Sequence, residues 1–216
     1  MNNVVSIKPR SGLLITFEGI ECSGKTTQAM RLLQNLRHIG IQCCAYSDLE
    51  MDEDVYNSIM SLLSIIQDQK TSPEFDLLTI NLVRRLQVDA FLEPKLEDGY
   101  VVILDSFVHH TMCHLAIAEG KVRSVHDATI GINPDLTIYL DLDPKDSARR
   151  VKCRETVERS LDNEKIRSNY LKNKGSAGFE ILDGTQTPSQ IELNVYNIVR
   201  KLLTNKGKEI SDDLIR

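Results

Sequence analysis

Eight consecutive residues carry the clearest chemistry in this chain. Gly19-Ile20-Glu21-Cys22-Ser23-Gly24-Lys25-Thr26 follows the spacing GxxxxGK[ST], in which a glycine-rich turn wraps a row of phosphates and aims its backbone N–H groups at them. The helix that begins there adds the positive end of its dipole. Lys25 then reaches the β- and γ-phosphates, and the Thr26 hydroxyl helps hold Mg²⁺. The expected ligands are ATP and Mg²⁺, with Gly19 through Thr27 as the binding segment. A glycine-rich turn with an incidental lysine is the alternative. The apolar run before the motif and the amphipathic run after it argue against that reading.

A second carboxylate is expected beside Thr26. Val101-Val102-Ile103-Leu104 is apolar throughout, the pattern of a strand buried on both faces, and Asp105 ends it. Ligands of open parallel sheets bind at the carboxyl ends of strands, where Asp105 can orient the metal's water shell. A helix cap is its plainer role. Arg149, Arg150, Lys152, Arg154 and Arg159 form a basic run, with Arg150 and Arg154 on one helix face. Such a run is ordinarily a solvated face. Beside a phosphate loop, Arg150, Arg154 and Arg159 become candidates for a mobile lid that neutralises a transferring phosphoryl group. Glu18 ends the first strand and is either a buried, paired carboxylate or a site residue. Cys22 sits at a helix N-terminus, which favours its thiolate, yet a small filler is its simpler role. His110 and His114 are one helical turn apart with Cys113 beside them. No second ligand pair accompanies them, so an acceptor-pocket lining is favoured over a metal site.

These residues need a parallel sheet to position them. Strands are expected over Leu13–Glu18, Gln42–Ser47, Tyr100–Asp105, Leu136–Asp141 and Phe179–Asp183, with helical patterns between them. One helix runs from about Thr26 to Ile39 and stops at Gly40. Another starts at Ser72-Pro73 and runs toward Glu93, where Pro94 should end it. Asp143-Pro144 and Thr187-Pro188 repeat the cap-and-proline start. The termini, residues 1–11 and about 205–216, are polar and aperiodic and look dispensable.

Two hundred and sixteen residues suit one α/β domain, with a core near 12–204 and no visible boundary. A net charge of −5 argues against binding a nucleic-acid polymer. Five cysteines without CxxC spacing fit a reducing compartment. No apolar stretch approaches a membrane span and no leader pattern opens the chain, so a soluble, cytoplasmic protein is expected.

At this point the chain resembles the thymidylate kinase family of P-loop nucleoside monophosphate kinases, over roughly residues 12–204. The likeness rests on Leu14-Ile15-Thr16-Phe17-Glu18-Gly19 running into the phosphate loop, and on Leu77-Leu78 followed by Arg84 and Pro94. It continues through Asp105, Pro134-Asp135-Leu136-Thr137-Ile138-Tyr139-Leu140-Asp141, the arginine spacing 150, 154 and 159, and Ile181-Leu182-Asp183-Gly184-Thr185-Gln186. The resemblance implies a five-stranded parallel sheet, a homodimer, a short lid over about 155–162, and a base contact by Arg84. It also implies that Glu21 lies near the acceptor sugar and the metal. The acceptor side departs from the pattern. Ser47-Asp48-Leu49-Glu50-Met51 lacks the family's phosphate-binding arginine, Ser106 stands where a second is usual, and Ile80 replaces a stacking aromatic. Each lost arginine contact costs on the order of 1.5–3 kcal/mol of acceptor binding. The expectation is ATP-dependent transfer to a nucleoside monophosphate or nucleotide-like small molecule, with the acceptor not necessarily dTMP. A kinase for nucleosides and a nucleotide-binding regulator without turnover are the rivals.

Overall fold

The computed structural model describes residues 10–45, 61, 64, 72–107, 131–151, 163–172, 174, 175 and 178–207. Five strands, Leu13–Glu18 (β1), Cys43–Ala45 (β2), Val101–Asp105 (β3), Leu136–Asp141 (β4) and Phe179–Asp183 (β5), form one sheet in the order β2-β3-β1-β4-β5. Every pairing is parallel, with Phe17 beside Asp105 and Glu18 beside Tyr139. The helices among the described residues are Lys25–His38 (α1), Pro73–Gln87 (α2), Glu93–Glu97 (α3), Pro144–Val151 (α4), Asn163–Leu171 (α5) and Pro188–Asn205 (α6). A phosphate loop between β1 and α1 in a parallel sheet covered by helices is the P-loop NTPase architecture.

β1 is buried at every position because it is central and both faces are covered. Leu13, Ile15 and Phe17 pack with Leu32, Leu33 and Leu36 of α1 and Val195 and Val199 of α6. Leu14 on the other face joins Leu77 of α2, Val88, Leu92 and Leu96. A third cluster joins Ile20 and Tyr139 to Ile166 and Tyr170 of α5. The sheet's carboxyl edge, where β1 and β3 end, is thereby fixed from both faces.

Two expectations change. Pro94 does not end the second helical stretch. Val88–Leu92 forms a π-helical turn in which the Glu93 N–H donates to the Val88 carbonyl, and the chain then continues as α3 through Glu97. The wider turn places Pro94 in the first turn of α3, where a missing N–H removes no hydrogen bond. The polar termini also begin to be held inside the ranges expected to be dispensable. Arg10 pairs with Asp135 at 3.0 Å and donates to the Asn133 carbonyl at 2.7 Å, while Lys206 lies 3.8 Å from the same aspartate. Asp135 also accepts from the Leu14 N–H at 2.9 Å, which fixes its carboxylate at the base of the sheet, where the two cations meet it. The expected extension of β2 to Ser47 falls outside the described residues.

Candidate active site

The site grows from the turn between β1 and α1. Gly19 (φ 151°) leaves no room for a Cβ, which would lie 2.6 Å from Ser23 Oγ and 2.8 Å from the Leu140 carbonyl. Gly24 (φ 104°) is the N-cap of α1 and provides no side-chain cap, and the first turn of α1 holds no acid. The first N–H groups of that helix are therefore left for an anion. Ser23 Oγ is buried with no hydrogen-bond partner among the described residues, as expected of a group that waits for a ligand. These features fit a polyphosphate.

Lys25 is half-buried and donates from Nζ to the Ile20 carbonyl at 3.0 Å. Burial pulls its pKa down, while Asp105, Glu18, Cys22 and Glu21 work to keep the ammonium charged. The Thr26 hydroxyl donates to Asp105 Oδ2, which joins the start of α1 to the end of β3. A hydroxyl and an exposed carboxylate side by side form a hard-oxygen pair suited to Mg²⁺. Thr27 and Glu21 are exposed, and Ile20 is buried behind the loop.

Arg150, on α4, donates to the Cys22 carbonyl at 3.1 Å and to the Gly184 carbonyl at 2.8 Å. Ser147 on the same helix donates to the Glu21 carbonyl at 2.8 Å. Arg150 thus lies against the phosphate loop. Arg154, Arg159, His110, His114 and the lid over about 155–162 lie outside the described residues, as does Asp48.

Where an acceptor site is expected, Arg84 of α2 donates from Nη2 to the Phe107 carbonyl at 2.7 Å, and its guanidinium lies 5.5 Å over the Phe107 ring. Its Nη1 is buried without a partner among the described residues. Desolvation lowers the Arg84 pKa to about 10, opposed chiefly by Glu18. Ile80, one turn earlier, is half-buried; so is Ser106, which adopts a left-handed φ of 73° immediately after Asp105.

Glu18 is fully buried at the carboxyl end of β1. It accepts from the Phe107 N–H at 2.8 Å and from the Tyr170 hydroxyl at 2.9 Å. Burial raises its pKa to about 7, against the opposing pull of these two donors, Arg84 and Lys25. Tyr170 was not singled out from the sequence, where its four-residue spacing from Ile166 marks it only as one apolar face of a helix. Ser147 and the Arg167–Asp141 pair, at 2.7 Å, were missed for the same reason: each acts between segments distant in sequence. Glu18 left a usable signal, a lone carboxylate closing a strand that is apolar but for Thr16.

Comparison with known proteins agrees with this geometry. The family model described as thymidylate kinase matches residues 17–195. Curated proteins called thymidylate kinase are similar over most of the chain. The one from Ruegeria pomeroyi is 30% identical over 206 residues, covering 88% of this chain and 95% of that protein. The one from Bacillus licheniformis is 30% identical over 210 residues, covering 89% and 97%. The one from a Thermoanaerobacter species is 31% identical over 206 residues, covering 89% and 99%. With its phosphate loop, sheet and extent of match in accord, the chain belongs to the thymidylate kinase family and is an ATP-dependent nucleotide kinase.

Proposed function

We propose that this kinase moves the γ-phosphoryl group of ATP onto a nucleoside monophosphate of the thymidylate type, and that dTMP itself is turned over poorly. The observation that carries the reading is the common wall of the two sites. Lys25 on the donor side and Arg84 on the acceptor side both act on Glu18, at the carboxyl end of β1. In this reading the donor phosphates on Lys25 and an acceptor whose base Arg84 contacts are brought together above that strand end. Little covalent work falls to the protein, which supplies position and charge. Lys25 and the basic residues Arg150, Arg154 and Arg159 offset charge on the transferring group. Thr26 and Asp105 would hold Mg²⁺, which neutralises phosphate oxygens when bound. Glu21, Ile80, Arg84, Ser106, His110 and His114 face the acceptor in this reading.

Ser106 argues for weak use of dTMP. A short hydroxyl stands where relatives in this family carry an arginine by resemblance, and a monophosphate brings about two negative charges. ADP release measured with ATP, Mg²⁺ and a panel of nucleoside monophosphates and nucleosides tests the proposal. The expected result is turnover on a monophosphate, with kcat/KM for dTMP below about 10⁴ M⁻¹s⁻¹ and raised by Ser106→Arg. Efficient dTMP turnover would overturn the divergent-acceptor part. Tight ATP binding without turnover on any acceptor would overturn the whole reading.

By family resemblance we also propose a homodimer. Phe75, Leu78, Leu82 and Leu86 support it, forming an exposed apolar stripe along α2. Among the described residues no helix is long and apolar enough to cross a membrane. With the cysteine pattern, this favours the cytoplasm.

A further inference from the structure

The loop that follows Asp105 is held by an unusual set of bonds. The Ser106 N–H donates to the Phe17 carbonyl at 2.9 Å, which extends the β1–β3 ladder by one step. The next amide, that of Phe107, meets a carboxylate, Glu18 Oε1, at 2.8 Å. The Phe107 carbonyl in turn accepts from Arg84 at 2.7 Å. Both peptide groups of Phe107 are therefore gripped, one from β1 and one from α2. Between this grip and Asp105 stands Ser106, a non-glycine residue in the left-handed region. Such a backbone persists only where its surroundings over-determine it. Glu18 Oε2 is occupied by the Tyr170 hydroxyl of α5, whose ring stacks on Tyr139 with centroids 4.7 Å apart.

We propose that Glu18 is a positioning residue for phosphoryl transfer, holding the Asp105–Phe107 loop in register with the phosphate loop through the Phe107 N–H and the Tyr170 hydroxyl. Two donors converge on the two oxygens, an arrangement that suits the ionised carboxylate. A proton on Oε2 faces the Tyr170 hydroxyl and forces it to turn; a proton on Oε1 breaks the Phe107 bond. Loosening Phe107 shifts Ser106 and Asp105, the latter bonded to Thr26. It also releases Arg84 from its carbonyl. Donor and acceptor geometry then degrade together, which matters because misplacement by about 1 Å costs on the order of 10²-fold in rate.

Among the described residues, the titratable groups that act on Glu18 are Lys25 from α1, Arg84 from α2 and Tyr170 from α5, and all three favour its charged form. Burial opposes them and leaves the carboxyl titrating at about 7. The kinase should therefore lose turnover as pH falls through that value. The inference rests on the phosphotransfer reading above, so its test includes a measurement that needs no turnover.

The experiment follows the ¹⁵N shift of the Phe107 amide, and in parallel kcat with ATP, Mg²⁺ and dTMP, across pH 5–9. Wild type, Glu18→Gln and Tyr170→Phe are compared. In the wild type both readouts should share one midpoint near 7. Tyr170→Phe removes a donor that favours the charged form, so both midpoints should rise. Glu18→Gln should abolish the titration and lower kcat about tenfold at pH 8, with KM for ATP within about twofold. A purely structural role would lower thermal stability without moving any midpoint. An amide that does not titrate, or an acid limb that survives unchanged in Glu18→Gln, overturns the proposal. If Glu18→Gln fails to fold, the direction of shift in Tyr170→Phe decides alone. If the wild type turns over too little dTMP to measure, as the divergent acceptor site predicts, the failure lies with that acceptor and not with Glu18, and the amide titration decides the role of Glu18.

Discussion

Lys25 and Glu18 face the same problem from opposite sides: each carries charge where burial disfavours it. The Lys25 ammonium rests on the Ile20 carbonyl, and in the proposed function a bound polyphosphate would replace that bond with stronger ones to phosphate oxygens. Lys25→Ala should cut turnover by at least about 10²-fold with an unchanged melting temperature, read by ADP release and circular dichroism. Near-wild-type turnover would remove this residue from the mechanism. Glu18 has a stability signature as well. Its folded pKa, about 7, lies above the ordinary 4.5, so the folded chain binds this proton more tightly than the unfolded chain does. That contribution is fully present below pH 4.5, declines as pH rises toward 7, and is absent above, by an amount on the order of 3 kcal/mol. Urea denaturation at pH 5 and pH 8 should show Glu18→Gln gaining on the wild type as pH rises. A stability difference that stays constant between the two pH values counts against the buried titration. Glu18 thus serves the loop as a carboxylate and the fold as an acid.

At the scale of elements, α4 braces the phosphate loop. Ser147 and Arg150 bind the carbonyls of Glu21 and Cys22, and Cys22 holds a left-handed φ of 56° that a non-glycine residue adopts at some cost. Arg150 also binds the Gly184 carbonyl beyond β5, so the loop, α4 and the sheet edge move as one body. Arg150→Ala should lower kcat by about 10- to 100-fold and raise KM for ATP by less, because a loosened loop loses transition-state alignment before ground-state affinity. Steady-state kinetics showing a change in KM alone would make Arg150 a simple ATP contact. The strands behind this site were legible in the sequence for a physical reason. A parallel strand covered on both faces is apolar almost throughout, as Val101–Leu104 is entirely and Leu13–Phe17 is but for Thr16, whose hydroxyl is satisfied by Thr137. Gly19 and Gly24 were legible because close approach and positive φ leave few alternatives. The Glu18–Tyr170 bond was not, since it joins residues 152 apart and neither residue type is unusual where it stands. Pro94 misled because a local rule, that proline stops a helix, ignored the π-helical turn that accommodates it.

Across the whole molecule, the proposed acceptor site depends on α2, which among the described residues buries one side and exposes a row of large apolar side chains on the other. Its inner face buries Leu77 and Val83, while Phe75, Leu78, Leu82 and Leu86 are 48–57% exposed at spacings of three and four. These four side chains form one stripe, and a second copy of the chain covers it in the homodimer proposed above. Covering the exposed half of such a leucine is worth about 1 kcal/mol. Leu78→Glu with Leu82→Glu removes four such leucines per dimer and sets like charges opposite one another. The dissociation constant should rise by about 10³-fold. Light scattering at micromolar concentration should give twice the 24.4 kDa chain mass for the wild type and the single mass for the variant. Both substitutions lie on the exposed face, so the monomer should remain folded. Its kinetics carry the second half of the prediction. Arg84 sits on the same helix and reaches Phe107 across the site, so a helix that has lost its outer support holds that guanidinium less firmly. KM for the acceptor should rise several-fold in the variant while KM for ATP, set by a phosphate loop that α1 and α4 hold, stays put. A wild type that runs as a monomer at these concentrations would refute the dimer, and an acceptor KM unchanged in a monomeric variant would refute its link to the site.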